Sequence, residues 1–484
     1  MNDKLVKGMS WKLLERFGVQ GIQFVIQIVL ARLLAPSNFG VLSLMIIFVS
    51  VSNIIIQAGF HTSLIQNKDV TNDDYSSVFW LSFFVAIILY IALFFAAPFV
   101  GDFYNTSEFT SHFRVLMLVL IPGALSSVQL AKCTREMNFK SVFISNVIGI
   151  VLSGLIGVAL AYLDFGVWAL VAQMLLNYTI TCIVMIFTAK WRPRLVFSFQ
   201  RIKILFSFGW KILFSGLLDT VYQDLSNLVI GKKYNTAMLG YYNRGKTFPQ
   251  FIITGINSSV EIVILSEMSA NQDDTEAVRS MMRKSIILSS YIIFPLMAGL
   301  AGVAAPLVTL VLTEKWIESV PFLQIYCFVL AFYPMHTCNL QAINAKGRSD
   351  IFLYLEIVKK VVGIIPVAIA VFCFDSVIAI AIAGAMVTVI NCFINAYPNK
   401  KLVGYSYSDQ MKDILPSFLL AIIVFLVINQ IPKLELPILL TLFVQVLIGG
   451  LIYISLSYFL KLKAFRDFLD VIKNLLQKYK IRKA

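Results

Sequence analysis

Fourteen stretches of about 20 mostly apolar residues follow one another along this 484-residue chain, each long enough to cross the hydrocarbon of a bilayer. They run roughly over 10–33, 39–59, 77–98, 113–131, 142–163, 166–188, 207–231, 238–264, 286–311, 319–341, 350–373, 376–397, 414–431 and 437–460. In lipid every backbone polar group must find a partner within its own segment, so such stretches fold as helices. The expected class is an all-α integral membrane protein. At 59% hydrophobic and 14% charged residues, with a mean hydropathy of +0.82, the chain carries more apolar surface than a soluble domain hides.

The formal charge of +14 does not indicate a nucleic-acid partner once the cations are located. With the first segment starting on the cytoplasmic side, about 28 of the 40 Lys and Arg fall in cytoplasmic connections, as the positive-inside rule requires. Lys132, Arg135 and Lys140 form one such group, and Arg192, Arg194, Arg201 and Lys203 another. The loop over 60–76 is the exception, with Asp69, Asp73 and Asp74 against Lys68. An even number of spans places both termini on the cytoplasmic side. No connection exceeds about 20 residues, too short for an extramembrane catalytic domain. The six cysteines are scattered without a C-x-x-C pair, and His336 with Cys338 lacks further ligands at useful spacing, so no metal site is expected. The N-terminal segment is too long and too polar for a signal-peptide core and reads as a retained span.

Polar residues mark one face of the first span: Lys12, Arg16, Gln20, Gln23 and Gln27. Lys211, Ser215, Asp219, Tyr222 and Ser226 repeat that register in the seventh, and Trp210-Lys211 matches Trp11-Lys12. Phe39-Gly40 is answered by Leu239-Gly240. The repeat divides the chain into a six-helix bundle over 1–190, a linker over 191–206, a second bundle over 207–398, two appended spans over 399–460 and a basic amphipathic tail over 461–484. Polar side chains are costly in hydrocarbon unless they face protein or water, so the two stripes are expected to line a shared wet cavity. The competing reading is hydrogen bonding across helix–helix contacts.

Further cations lie within spans. Lys359 and Lys360 sit about ten residues into the eleventh, close to mid-bilayer at about 1.5 Å per residue. Glu356 stands four residues before Lys360, a spacing that fits a salt bridge and leaves Lys359 without a partner in its own helix. Arg244 and Lys246 interrupt the eighth span. Asp219, Asp224 and Glu261 are either counter-charges or sites for a coupling ion. No nucleophile triad, metalloprotease motif or P-loop occurs, so an enzyme is not expected.

The run Leu30-Ala-Arg-Leu-Leu-Ala-Pro-Ser-Asn-Phe-Gly40, with Gly8-Met-Ser-Trp11, Asp74-Tyr-Ser-Ser-Val-Phe79, Arg135-Glu-Met-Asn-Phe139 and Leu239-Gly-Tyr-Tyr-Asn-Arg244, resembles the polysaccharide transporter (Wzx-type oligosaccharide flippase) family. Within it, the branch exporting colanic and teichuronic acid units is the most similar. The resemblance implies the MOP-superfamily fold, two six-helix bundles around a central cavity with two further helices, in a bacterial cytoplasmic (inner) membrane. It implies that a polyprenyl-pyrophosphate-linked oligosaccharide is turned from inner to outer leaflet by alternating access. Related flippases hold the pyrophosphate with cationic cavity residues, a role that falls by position to Arg16, Lys211, Arg244 and Lys359, with Lys360 beside them. Gln20, Gln23, Gln27, Asp219 and Tyr222 would meet the sugar. No cofactor is expected, and H+ or Na+ coupling stays open. Membrane lipids and other polysaccharide-assembly proteins are the further partners. A cation-coupled drug exporter of the same superfamily and a membrane glycan polymerase or ligase are the alternatives. The drug exporter would favour an acidic pocket, and the polymerase or ligase a large outer loop.

Overall fold

The computed structural model describes residues 11–470 and Lys473, apart from Leu13, Lys68 and residues 106–108. Helices account for the spans, and no strand occurs among the described residues. The chain forms two compact units, Met1–Gly240 and Tyr241–Ala484.

In the first unit a π turn over Glu15–Val19 leads into α1 (Gln20–Leu33). There follow α2 (Pro36–Gln57), α3 (Phe60–Gln66), α4 (Asn72–Phe103), α5 (Phe109–Leu116), α6 (Leu120–Arg135), α7 (Phe139–Tyr162), α8 (Val167–Thr188) and α9 (Phe199–Lys233). Helices α7 and α8 form a close hairpin because glycines line the seam. A Cβ built on Gly149 would lie 2.1 Å from Thr181 Oγ1, and one on Gly157 would lie 2.7 Å from Gln173 Cβ. Helix α9 packs on α2, α3 and α4, so the seventh span belongs to the first compact unit.

The acidic loop that departs from the charge rule is explained here. Asp74 closes a capping box with Thr71 at the start of α4 and takes a bidentate pair from Arg201, with both contacts at 2.6 Å. Arg194 meets Asp73 at 3.5 Å, and the Ser76 and Ser77 hydroxyls accept from the backbone N–H of Arg194 and Ser198. The loop acids neutralise the linker arginines and strap the linker to α4. Asp74 is 1% exposed. Asp74→Ala is expected to lower stability by about 2 kcal/mol, the worth of hydrogen bonds to a charged group, and thermal melts in detergent check this.

A reciprocal contact ties the two repeated Gly motifs together. Thr236 opens α10 (Thr236–Ala270), as Pro36 opens α2, and each helix carries glycine four residues later. A Cβ on Gly40 would fall 1.7 Å from the Thr236 carbonyl oxygen, and one on Gly240 would fall 2.1 Å from that of Pro36. Only a residue without a side chain lets two backbones approach this closely.

The second unit continues α10 and adds α11 (Thr275–Gly302), α12 (Ala304–Leu312), α13 (Val320–Ala331), α14 (Tyr333–Ala345) and α15 (Ser349–Cys373). It closes with α16 (Val377–Ala396), α17 (Asn399–Leu402), α18 (Tyr407–Ile428) and α19 (Ile438–Phe459). Arg283 of α11 pairs bidentately with Asp413 of α18 at 2.7 Å, and the Tyr405 hydroxyl donates to the same carboxylate at 2.7 Å. Burial and that bond push the Tyr405 phenol far above its ordinary range. Of the tail, residues 463–470 are helical. Leu462, Phe465 and Phe468 pack with Tyr291 and Tyr453 of the bundle. The rest of the amphipathic pattern, with Ile472, Leu476 and Tyr479, lies outside the described residues.

Pro249, Pro295 and Pro366 lie inside helices, where proline can bend them. Pro306 and Pro334 stand in first turns, where proline costs no hydrogen bond.

Ten helices among the described residues are long and apolar enough to cross a membrane, or eleven with bent α9 counted. By length and composition, ten or eleven of the fourteen expected spans meet that test among the described residues. The remaining four expected spans are α1 with its π turn, α9, α10 and α15. Helix α1 is only 14 residues long and α9 is counted only as a bent pair, and the four carry Arg16, Lys211 with Asp219, Arg244 with Lys246, and Lys359 with Lys360. Every residue expected at the site lies in one of these four helices.

Candidate functional site

In the first unit the polar stripe begins in the π turn, a geometry often found at functional positions. Lys12 and Glu15 pair at 2.7 Å, and Asn146 of α7 donates to the same carboxylate at 3.3 Å. With Glu15 engaged, half-buried Arg16 makes no ion pair among the described residues. Gln20 and Gln27 are half-buried and Gln23 is exposed. On α9, Lys211 is exposed, while Asp219, Tyr222 and Ser226 are half-buried. Asp219 accepts from Gln223 at 2.6 Å and Asp224 from Asn227 at 2.9 Å, local contacts along their own helix. The two stripes stand on different supports, α1 on α7 and α9 on α2, α3 and α4.

Sequence reasoning passed over a second polar set in this unit. Tyr178 of α8 hydrogen-bonds Asn53 of α2, and His61 hydrogen-bonds the Ser127 backbone. The spacing Asn53, Gln57, His61 at steps of four was the available signal.

In the second unit the Tyr241–Lys246 motif faces an aromatic wall. The Tyr326 hydroxyl donates to that of Tyr242 at 2.6 Å, and the Arg244 guanidinium lies 5.2 Å from the Trp316 ring centroid. Lys246 Nζ lies 5.7 Å from the Tyr326 ring. Arg244 is 6% exposed and packs against that ring. A Cβ on Gly245 would lie 2.6 Å from Phe322 Cβ, which fixes this close seating.

Lys359 departs from its expected isolation. Its Nζ meets Glu356 Oε1 at 2.5 Å, with the lysine side chain 13% exposed. Residues three and four apart are both neighbours on a helix, and the carboxylate meets the lysine three residues on. Lys360 is half-buried on the same helix. His336 of α14 stands beside this pair. Its ring nitrogens lie 3.4 Å from Cys392 Sγ and 3.0 Å from Asn395 Nδ2, both on α16. A polar ladder continues through Asn339, which meets Gln410 and Asn399 at 2.8 Å each. Gln341 donates to Glu261 at 2.9 Å.

The second unit thus holds buried cations in polar and aromatic settings, and the first holds an open polar helix. Among relatives, the teichuronic acid biosynthesis protein TuaB of Bacillus subtilis is 24% identical over 86% of this chain and 86% of its own. The lipopolysaccharide biosynthesis protein WzxC of Escherichia coli is 23% identical over 87% of this chain and 86% of its own. A solved structure of the lipid II flippase MurJ, in an inward closed conformation, shares the fold with a TM-score of 0.75 at 14% identity. It matches 95% of this chain and 100% of that one. The model of the family described as polysaccharide biosynthesis protein matches residues 29–321, more than half of the sequence, and the chain belongs to that family.

Proposed function

We propose that the protein is a flippase that turns polyprenyl-pyrophosphate-linked oligosaccharide from the inner to the outer leaflet of the cytoplasmic membrane for surface polysaccharide synthesis. One observation carries the reading: the candidate site residues are confined to four helices that carry charged side chains within apolar segments. A sugar-pyrophosphate head presents many polar groups that hydrocarbon leaves unsatisfied, so its passage needs a wet and cationic path. Arg16 and Lys211 would take phosphate and Gln20, Gln23, Gln27 and Tyr222 sugar hydroxyls, while Asp219 would orient them. Lys359 is available to an anion once Glu356 releases it. Transport proceeds by alternating access, with both termini cytoplasmic as the positive-inside distribution favours. The polysaccharide-biosynthesis names of TuaB and WzxC, and the fold shared with a lipid II flippase, support a transporter rather than an enzyme. Assembly proteins that supply and polymerise the repeat unit are natural partners.

Deleting the gene in its host tests the reading. Lipid-linked repeat units are expected to build up and surface polysaccharide to disappear, with both restored by the intact chain. Normal surface polysaccharide in the deletion strain overturns it.

A further inference from the structure

The tail after α19 is seated on its own bundle, and its charges are sorted around it. Helix α19 ends in a Schellman turn. The Lys461 N–H donates to the Tyr458 carbonyl and the Leu462 N–H to that of Ser457, both at 3.1 Å, with Lys461 in the left-handed region at φ 51°. The turn redirects the chain, and the helical residues 463–470 pack against α11 and the last turns of α19. Ala464 is buried, and the Phe465 and Phe468 rings lie 6.4 and 5.8 Å from that of Tyr291. The Tyr453 hydroxyl donates to the Tyr291 carbonyl at 2.9 Å and ties the two helices of this seat together.

An amphipathic helix that binds a bilayer alone does so by sinking its apolar face into it. Here that face is spent on α11 and α19, so lipid can reach only what stands beside it. Going round the tail helix from Phe465 at about 100° per residue, Leu469 comes first at about 40°, then Lys473 at about 80° and Arg466 at about 100°. Asp470 follows at about 140°, Lys463 at about 160° and Asp467 at about 200°. Two cations one heptad apart therefore flank an apolar residue at the edge of the docked face, and the acids lie further round. Arg466, Leu469 and Lys473 are all exposed, and neither cation pairs with an acid among the described residues. Phe459 and Leu460, at the foot of α19 just before the turn, are exposed as well.

We infer that this flank is a docking surface for an anionic phospholipid, whose headgroup phosphate pairs with Arg466 and Lys473 while an acyl chain covers Leu469. Long basic side chains lay their stems on apolar surface and hold their charge at headgroup level, which is the arrangement present here. An acidic protein would satisfy the two cations but not the leucine between them. The inference goes beyond the flippase reading and holds whatever the cargo, because its test measures no transport.

The full chain in detergent is titrated separately with dioleoyl-phosphatidylglycerol and dioleoyl-phosphatidylcholine, and bound lipid is counted by native mass spectrometry. A cation beside an anionic lipid surface is worth about fivefold in affinity, so Arg466→Gln with Lys473→Gln should weaken the tightest phosphatidylglycerol site about 25-fold. Phosphatidylcholine binding should stay as it is. Arg466→Lys with Lys473→Arg should keep the wild-type affinity. Lys400→Gln with Lys401→Gln, which removes two exposed cations of α17, should keep it too. Asp467→Asn, on the far side of the helix, should change it by less than about twofold, well under the value of one engaged cation. Excess glycerol phosphate should not displace the lipid, since it lacks the chain. Wild-type protein that binds phosphatidylglycerol no more tightly than phosphatidylcholine overturns the inference and leaves an acidic protein as the partner of this flank. An Arg466–Lys473 variant that binds like wild type overturns it as well. An equal loss in the Lys400–Lys401 variant would do the same, by showing that net charge and not this flank attracts the lipid.

Discussion

Replacing Lys359 with alanine should abolish surface polysaccharide while the protein remains in the membrane at normal abundance. The ammonium is largely out of solvent and paired to Glu356, so its removal deletes the anion contact and leaves a carboxylate without its counter-charge. Truncating one partner of such a pair costs about 2–5 kcal/mol, and about 3 kcal/mol on the transport step lowers its rate roughly 100-fold. Lys359→Arg should retain much of the activity. The readout is polysaccharide per cell against immunoblotted protein in the membrane fraction. Export at wild-type level by the alanine variant would remove Lys359 from the transport path.

The second large effect is expected at the glycine crossing. Gly40→Ala places a methyl where the Thr236 carbonyl stands, and Gly240→Ala does the same at Pro36. Neither neighbour is a flexible side chain, so α2 and the first turn of α10 must separate. Overpacking of this kind costs about 1–3 kcal/mol, and backbone against methyl belongs at the upper end. The contact is reciprocal, so one substitution opens the space that the other needs. The double variant should therefore lose much less than the sum of the single losses, which a double-mutant cycle on thermal stability measures. Additive losses would show that the two glycines act at separate contacts.

The membrane class and the positions of the helices were legible because hydrocarbon imposes length and apolarity on each span. The fourteen segments correspond to helices, and the four that interrupt their apolar run with charge hold every expected site residue. The Phe39-Gly40 and Leu239-Gly240 motifs, matched in the sequence, lie against one another. Partners separated in sequence were not legible. Periodicity says which face a lysine occupies but not which of two lysines a carboxylate takes, so Lys359 was expected to be alone. Arg244 meets Trp316, 72 residues on, a contact that no local pattern announces. The acids of the 60–76 loop looked anomalous until Arg194 and Arg201 were seen to meet them. The polar set at Asn53, His61 and Tyr178 joins three segments and leaves only a faint four-residue rhythm in the sequence.

The central claim is that this chain moves a lipid-linked sugar across the bilayer by itself. The most direct measurement reconstitutes purified protein into liposomes loaded with a fluorescent polyprenyl-pyrophosphate oligosaccharide and follows the fraction reached by an external quencher. Protein-dependent exchange that quenches the inner-leaflet pool, and that is lost with Lys359→Ala, is the predicted result. An inner pool that stays protected at the protein-free rate, with folded protein in the membrane, would contradict the account.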